Sequence, residues 1–193
     1  MSTYTAPLKD MRFAIQELAG FTEVCALPGF GEVNAELADA VLAEAGKFAQ
    51  EVLDPLNREG DRQGARLADG KVTPPKGFKE AYRKFIGAGW NGLGGPAEYG
   101  GQGLPHAIAL PVQEIWKSAN LALCLAPMLT SGVSEALKNH GSPQQHKTWL
   151  PKLTSGEWTG TMNLTEPQAG SDLSAVRTRA VREGDHYRIQ GTK

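Results

Sequence analysis

The sequence predicts a mainly α fold: a helical bundle over residues 1–157, followed by the first strands of a β domain over 158–193. Three observations carry this. Apolar residues recur at three- and four-residue spacing through most of the chain, the mark of helices with one buried face. Helix-start signals precede those stretches, most completely at Ser142-Pro143-Gln144-Gln145, which combines an N-cap, a first-turn proline and a capping-box glutamine. After Glu157 the chain turns to Trp, Thr and Met, and two β-type runs flank the turn Glu183-Gly184-Asp185-His186.

Taken in order, Met11, Ile15 and Leu18 form a short amphipathic arm over residues 10–18, and residues 20–31 read as loop. Asn34 is the expected N-cap of a long helix whose buried face is Leu37, Val41, Ala45, Phe48 and Val52, ended or kinked by Pro55. Residues 57–71 are polar and glycine-containing, a surface loop. Pro74 and Pro75 start a second helix that buries Phe78, Tyr82, Phe85 and Ile86. Helical patterning resumes at Pro105, bends at Pro111, and becomes most apolar over Leu121 to Leu137, the expected centre of the bundle. Trp149 and Leu150 mark the buried side of the last helix.

Composition narrows the function. Lys plus Arg number 20 against 21 for Asp plus Glu, and the four His are scattered, so no patch suited to nucleic acid or an acidic membrane surface appears. Cys25 and Cys124 lie outside any Cys-x-x-Cys or Cys/His spacing, which disfavours a disulfide framework and a metal site and fits a reducing, cytoplasmic setting. The first ten residues lack a signal-peptide pattern, and no uninterrupted apolar run approaches a membrane span. The final Tyr187-to-Lys193 strand pattern stops without a cap or partner, which suggests the front part of something longer.

Several motifs read as structural. Gly87-Ala88-Gly89-Trp90-Asn91-Gly92 satisfies G-x-G-x-x-G, but it follows a helix and runs into a loop, the reverse of a dinucleotide fold. Close backbone packing is the expected role of these glycines. His140 and His146, separated by Gly141 and Pro143, cannot share a helix face as metal ligands and read as surface or capping residues. No nucleophile elbow is present, and Glu98, Glu114 and Glu135 are isolated carboxylates. The run from Leu121 to Met128 reads as core, although such a helix can also floor an apolar pocket.

One stretch has a joint chemical use: Met162-Asn163-Leu164-Thr165-Glu166-Pro167-Gln168-Ala169-Gly170-Ser171-Asp172. A strand entering Thr-Glu-Pro presents backbone N–H and C=O groups and a hydroxyl, which suits the polar edge of a flat heterocycle, and Pro167 then ends the ladder. Ala169-Gly170-Ser171 lets backbone approach a phosphate or pantetheine arm without net positive charge. An ordinary strand-to-loop turn capped by Asp172 fits the same residues.

This stretch resembles the flavin-binding signature of the acyl-CoA dehydrogenases: an aromatic or Met, any residue, an aliphatic, then Thr-Glu-Pro-x-Ala-Gly-Ser-Asp. Residues 89–93 with 96–104, Leu150 to Glu157 and Gly184 to Lys193 are further matches, so the resemblance covers essentially the whole chain. The leader from Tyr4 to Phe13 is similar to the larger subgroup that includes 3-(methylthio)propanoyl-CoA dehydrogenases.

The resemblance implies an N-terminal helical domain, the opening of a β-barrel-like middle domain, and a C-terminal four-helix domain beyond this sequence. It implies FAD contacted by Met162, Leu164 and Thr165, and by Gly170 and Ser171 with the CoA arm, Ser171 being the foremost substrate contact. The implied reaction converts an acyl-CoA to a trans-2-enoyl-CoA, with electron-transfer flavoprotein as partner and a homo-oligomer as the full-length state. The glutamate base and an aromatic-Ile-Thr segment are expected beyond Lys193, so no catalytic residue falls in this chain. An acyl-CoA oxidase of related fold, or a short non-catalytic helical interaction module, are the alternatives.

Overall fold

The computed structural model describes residues 4–193, in two compact units that divide between Gly160 and Thr161. The first unit is mainly helical. Helices α1 (Leu8–Phe13) and α2 (Phe21–Cys25) precede the long α3 (Ala35–Phe48), which Asn34 caps as expected: its Oδ1 accepts the Leu37 N–H at 2.8 Å. The segment read as loop from residue 20 thus holds α2, which turns Phe21 into the core. In the arm, Met11 and Ile15 are buried as expected, while Leu18 faces solvent.

Pro55 does not end the helical path. A π-turn at Ala49–Leu53 absorbs the missing N–H and the bulk of the ring, and α4 (Asp54–Gln63) continues from it with Pro55 in its first turn. The polar stretch read as surface loop is therefore the end of α4 and a hairpin of β1 (Arg66–Ala68) and β2 (Lys71–Thr73), paired antiparallel. The buried face of α3 is also turned by one residue from expectation: Ala38, Leu42, Ala45, Ala49 and Leu53 are buried, and Val41, Phe48 and Val52 pack at its margin. The alanines on that face let neighbouring helices approach closely around Leu42 and Leu53, and Val41, Phe48 and Val52 settle at the flanks.

Helix α5 (Phe78–Gly87) begins after Gly77 rather than at the prolines and buries Ala81 and Phe85. Phe85 meets Trp116 edge to face at 4.8 Å, and Trp90 meets Trp116 at 5.1 Å, making an aromatic centre for the unit. The glycine-rich segment packs as tight backbone turns, as read from the sequence. A Cβ on Gly101 would run into the Gly95 carbonyl, so only glycine closes that loop.

Helix α6 (His106–His140) carries the main correction. It breaks at Asn120 (φ −158°, ψ 87°), not at Pro111. Asn120 is fully buried and caps the second half, its Oδ1 accepting the Leu123 N–H at 3.0 Å while its Nδ2 donates to the Leu53 carbonyl at 3.0 Å. The bundle centre is accordingly the first half of α6, where Ile108, Val112 and Ile115 are fully buried, and Leu121 and Leu125 are exposed. By length and composition alone α6 could cross a membrane; here its first half fills the core of the unit.

The last helix, α7 (Pro143–Ser155), starts with the complete capping box read from Ser142 and Gln145. Leu150 is buried on it, while Trp149 is half exposed and lies against Trp158. His146 is a capping residue, its Nε2 lying 2.8 Å from the Leu137 carbonyl at the end of α6. Asn91 donates to the Leu153 and Thr154 carbonyls, and the Tyr82 hydroxyl to the Gly156 carbonyl at 2.9 Å, so the end of α7 is tied to α5 and the loop after it.

The second unit contains one hairpin, β3 (Arg179–Glu183) with β4 (His186–Gln190), turning at Gly184 and Asp185 as expected. Residues 158–164, read as strand, form none, because a strand exists only by pairing and no segment among the described residues pairs with them.

Asn120→Ala would leave the Leu123 N–H buried without its cap and remove the side-chain hydrogen bond to the Leu53 carbonyl. It should destabilise the helical unit by about 2–4 kcal/mol, read as a lower denaturant midpoint in the full-length protein. A change under about 0.5 kcal/mol would show that the amide is not what holds the break.

Candidate functional site

The stretch from Met162 to Asp172 opens the second unit, and its backbone is arranged around one tight turn. Glu166 and Ala169 exchange reciprocal backbone hydrogen bonds at 3.1 and 3.0 Å, with Pro167 and Gln168 between them. Glu166 and Ala169 are buried, and the residues on either side project outward. Asp172 accepts the Ser174 N–H at 3.0 Å and caps the following turn, Leu173–Ala175.

The residues singled out from the sequence lie on this exposed rim. Met162 is 67% and Leu164 41% exposed. Thr165, Gly170 and Ser171 are exposed as well. The turn brings Thr165 and Gly170 together: a Cβ on Gly170 would lie 4.0 Å from Thr165 Cγ2. Among the described residues, none of the amides from Thr161 to Thr165 has a hydrogen-bond partner. Unpaired amides beside a hydroxyl can meet another strand or a planar polar ligand.

Sequence reasoning missed what holds this rim in place. The Glu166 carboxylate is buried and accepts from the Arg177 amide at 2.8 Å, the Thr178 amide at 3.0 Å, Gln168 Nε2 at 2.6 Å and Lys193 Nζ at 3.0 Å. Lys193 Nζ also donates to the Leu164 carbonyl at 2.9 Å. The Thr178 hydroxyl beside it, the Arg177 amide and the Lys193 ammonium hold the carboxyl far below the ordinary glutamate range, against the opposing effect of burial. The available signal was a carboxylate placed directly before proline in a short run of small and apolar residues, where an acid needs a reason to be.

The first unit holds a separate cavity of about 70 Å³. Trp116, Cys124, Pro127, Met128, Thr130 and Thr154 are among its walls. The run from Leu121 to Met128 therefore serves both readings, with Leu123 and Cys124 buried in the core and Cys124, Pro127 and Met128 facing the cavity. Burial pushes the Cys124 thiol up to about 12, which keeps it neutral and a poor nucleophile.

The family model described as acyl-CoA dehydrogenase, N-terminal domain, matches residues 35–157. The chain belongs to the acyl-CoA dehydrogenase family. A 3-methylmercaptopropionyl-CoA dehydrogenase of Ruegeria pomeroyi is 47% identical over 192 residues, 99% of this chain and 33% of that protein. Among solved structures, a glutaryl-coenzyme A dehydrogenase in complex with glutaryl-CoA superposes with a TM-score of 0.69 at 26% identity, covering 82% of this chain and 38% of the other. An acyl-CoA dehydrogenase from Bacillus anthracis complexed with FAD has the same fold, with a TM-score of 0.66 at 24% identity over 83% of this chain and 26% of that one. The chain spans about a third of the length of the curated relatives it matches.

Because Glu166 has a lowered pKa in the folded protein, its stabilising contribution is fully present above the ordinary value of 4.5 and is lost as pH falls below it. The Arg177 and Thr178 amides should lose exchange protection progressively under acid from about pH 4.5 downward. Protection that does not change from neutral pH to about pH 2 would contradict this linkage.

Proposed function

We propose that this sequence is the N-terminal part of an FAD-dependent acyl-CoA dehydrogenase that converts an acyl-CoA thioester to a trans-2-enoyl-CoA. The observation that carries the reading is the exposed row of unpaired amides ending at Thr165, set in a stretch that matches the family's flavin signature. The residues fit the cofactor. Leu164 and Thr165 offer outward backbone to a flat ring, Thr165 adds a hydroxyl, and Gly170 brings an unobstructed backbone beside it with the Ser171 hydroxyl next in line.

When bound, the flavin supplies the hydride-accepting chemistry. This chain's part is to bind and orient: Met162, Leu164 and Thr165 toward the ring, Gly170 and Ser171 toward FAD and the CoA arm, with Ser171 the main substrate contact. The carboxylate base lies outside this sequence. The 47% identity with a 3-methylmercaptopropionyl-CoA dehydrogenase supports a short thioether acyl-CoA as substrate. Electron-transfer flavoprotein as oxidant, a homo-oligomeric full-length state and a cytoplasmic setting belong to the same proposal.

Full-length protein should be isolated with bound flavin, and that flavin should bleach anaerobically when 3-methylmercaptopropionyl-CoA is added. A flavin-free protein that cannot be reconstituted would sink the reading, and rapid reoxidation by oxygen would move it to the oxidases. Thr165→Val should weaken FAD retention by about tenfold, the equivalent of one hydrogen bond. Unchanged retention and spectrum would remove Thr165 from the cofactor site.

A further inference from the structure

The rim that meets the proposed cofactor is held by residues that do not face it. Glu166 gathers the start of the β3 segment through the Arg177 and Thr178 amides, the turn through Gln168, and the chain's last residue through Lys193. Lys193 in turn grips the rim itself, because the same Nζ that pairs with Glu166 donates to the Leu164 carbonyl. Its side chain is 26% exposed, and that of Glu166 is 2% exposed, so the pair is largely shielded from water.

The consequence follows from peptide geometry. In a trans peptide the C=O and the N–H of one unit point in opposite directions. With the Leu164 carbonyl drawn inward to Lys193, the N–H of that peptide, which belongs to Thr165, must point outward. Thr165 is exposed and its amide has no partner among the described residues. If the carbonyl were released, that peptide could rotate and offer an acceptor where a donor now stands.

We infer that Glu166 and Lys193 form a positioning clamp that fixes the Leu164–Thr165 peptide with its N–H outward, so that the site presents donors to an acceptor edge of a bound heterocycle. Neither residue touches that ligand; both act through the peptide. The inference rests on the flavin reading above for the identity of the ligand, but the polarity of the edge comes from the chain's own hydrogen bonds. Donors aimed at the acceptor edge of a ring favour the negative charge it gains on reduction, so the clamp should raise the cofactor's reduction potential as well as its affinity.

The test uses full-length holoprotein with Lys193→Met and Lys193→Arg. The Met variant keeps most of the apolar stem and loses the cation and its donors, whereas Arg keeps a cation and N–H donors. The Met variant should release FAD about tenfold more readily, with an altered flavin absorbance band and a more negative midpoint potential, and the Arg variant, which keeps a cation and donors, should lose clearly less. A Met variant that matches wild type in retention, spectrum and potential overturns the clamp, as does equal loss in both variants. Should the Met variant fail to fold, Glu166→Gln, which is isosteric and removes the charge that orients Lys193, reads the same quantities. It should shift them in the same direction, and no shift overturns the clamp. A wild-type protein that holds no FAD defeats the flavin reading itself, whereas a wild-type flavoprotein with unaffected variants defeats only the clamp.

Discussion

The helical unit depends on one buried amide. Asn120 sits where α6 must change direction, and a break in a buried helix exposes backbone groups that water cannot reach. Its side chain supplies an acceptor to the restarted helix and a donor to the Leu53 carbonyl, at the end of the π-turn that leads into α4. The two irregular points of the bundle thus satisfy each other. An apolar residue of similar size could fill the volume but could serve neither group, and the cost of an unmet buried hydrogen bond exceeds the gain from a few extra methylenes.

The second unit solves a comparable problem with charge. It has little apolar burial: both faces of the β3–β4 hairpin are exposed, and of its opening stretch only Glu166 and Ala169 are buried. A segment of that kind cannot be held by hydrophobic area. A buried carboxylate that collects two amides, a side-chain amide and an ammonium is a compact substitute, because the donors arrive from three parts of the chain, at Gln168, at Arg177 with Thr178, and at Lys193. The arrangement leaves the backbone amides from Thr161 to Thr165 without partners among the described residues.

The helical unit holds a cavity beside Trp116 and Met128, and the second unit carries the unpaired amides from Thr161 to Thr165. The Cys124 thiol is pushed up by burial, and the Glu166 carboxyl is pulled down by its donors. A strongly lowered carboxyl is a poor proton acceptor, so the most perturbed acid of this chain is a scaffold residue.

Much of this was legible in the sequence because it is local. Helix against strand follows from hydrophobic spacing within about a dozen residues, and the caps at Asn34 and Ser142 follow from side chains that reach three residues ahead. The signature from Met162 to Asp172 named the loop for the same reason, as did the turn at Gly184 and Asp185. What only the tertiary structure decided are pairings between distant segments. Asn120 meets a carbonyl 67 positions away, Lys193 meets one 29 positions away, and the face of α3 shifts by one residue to the side where Ala38, Leu42 and Ala45 pack in the core. Local patterns record what a segment can form alone, whereas a broken helix, a turned face or a clamped carbonyl is stable only once its distant partner has arrived.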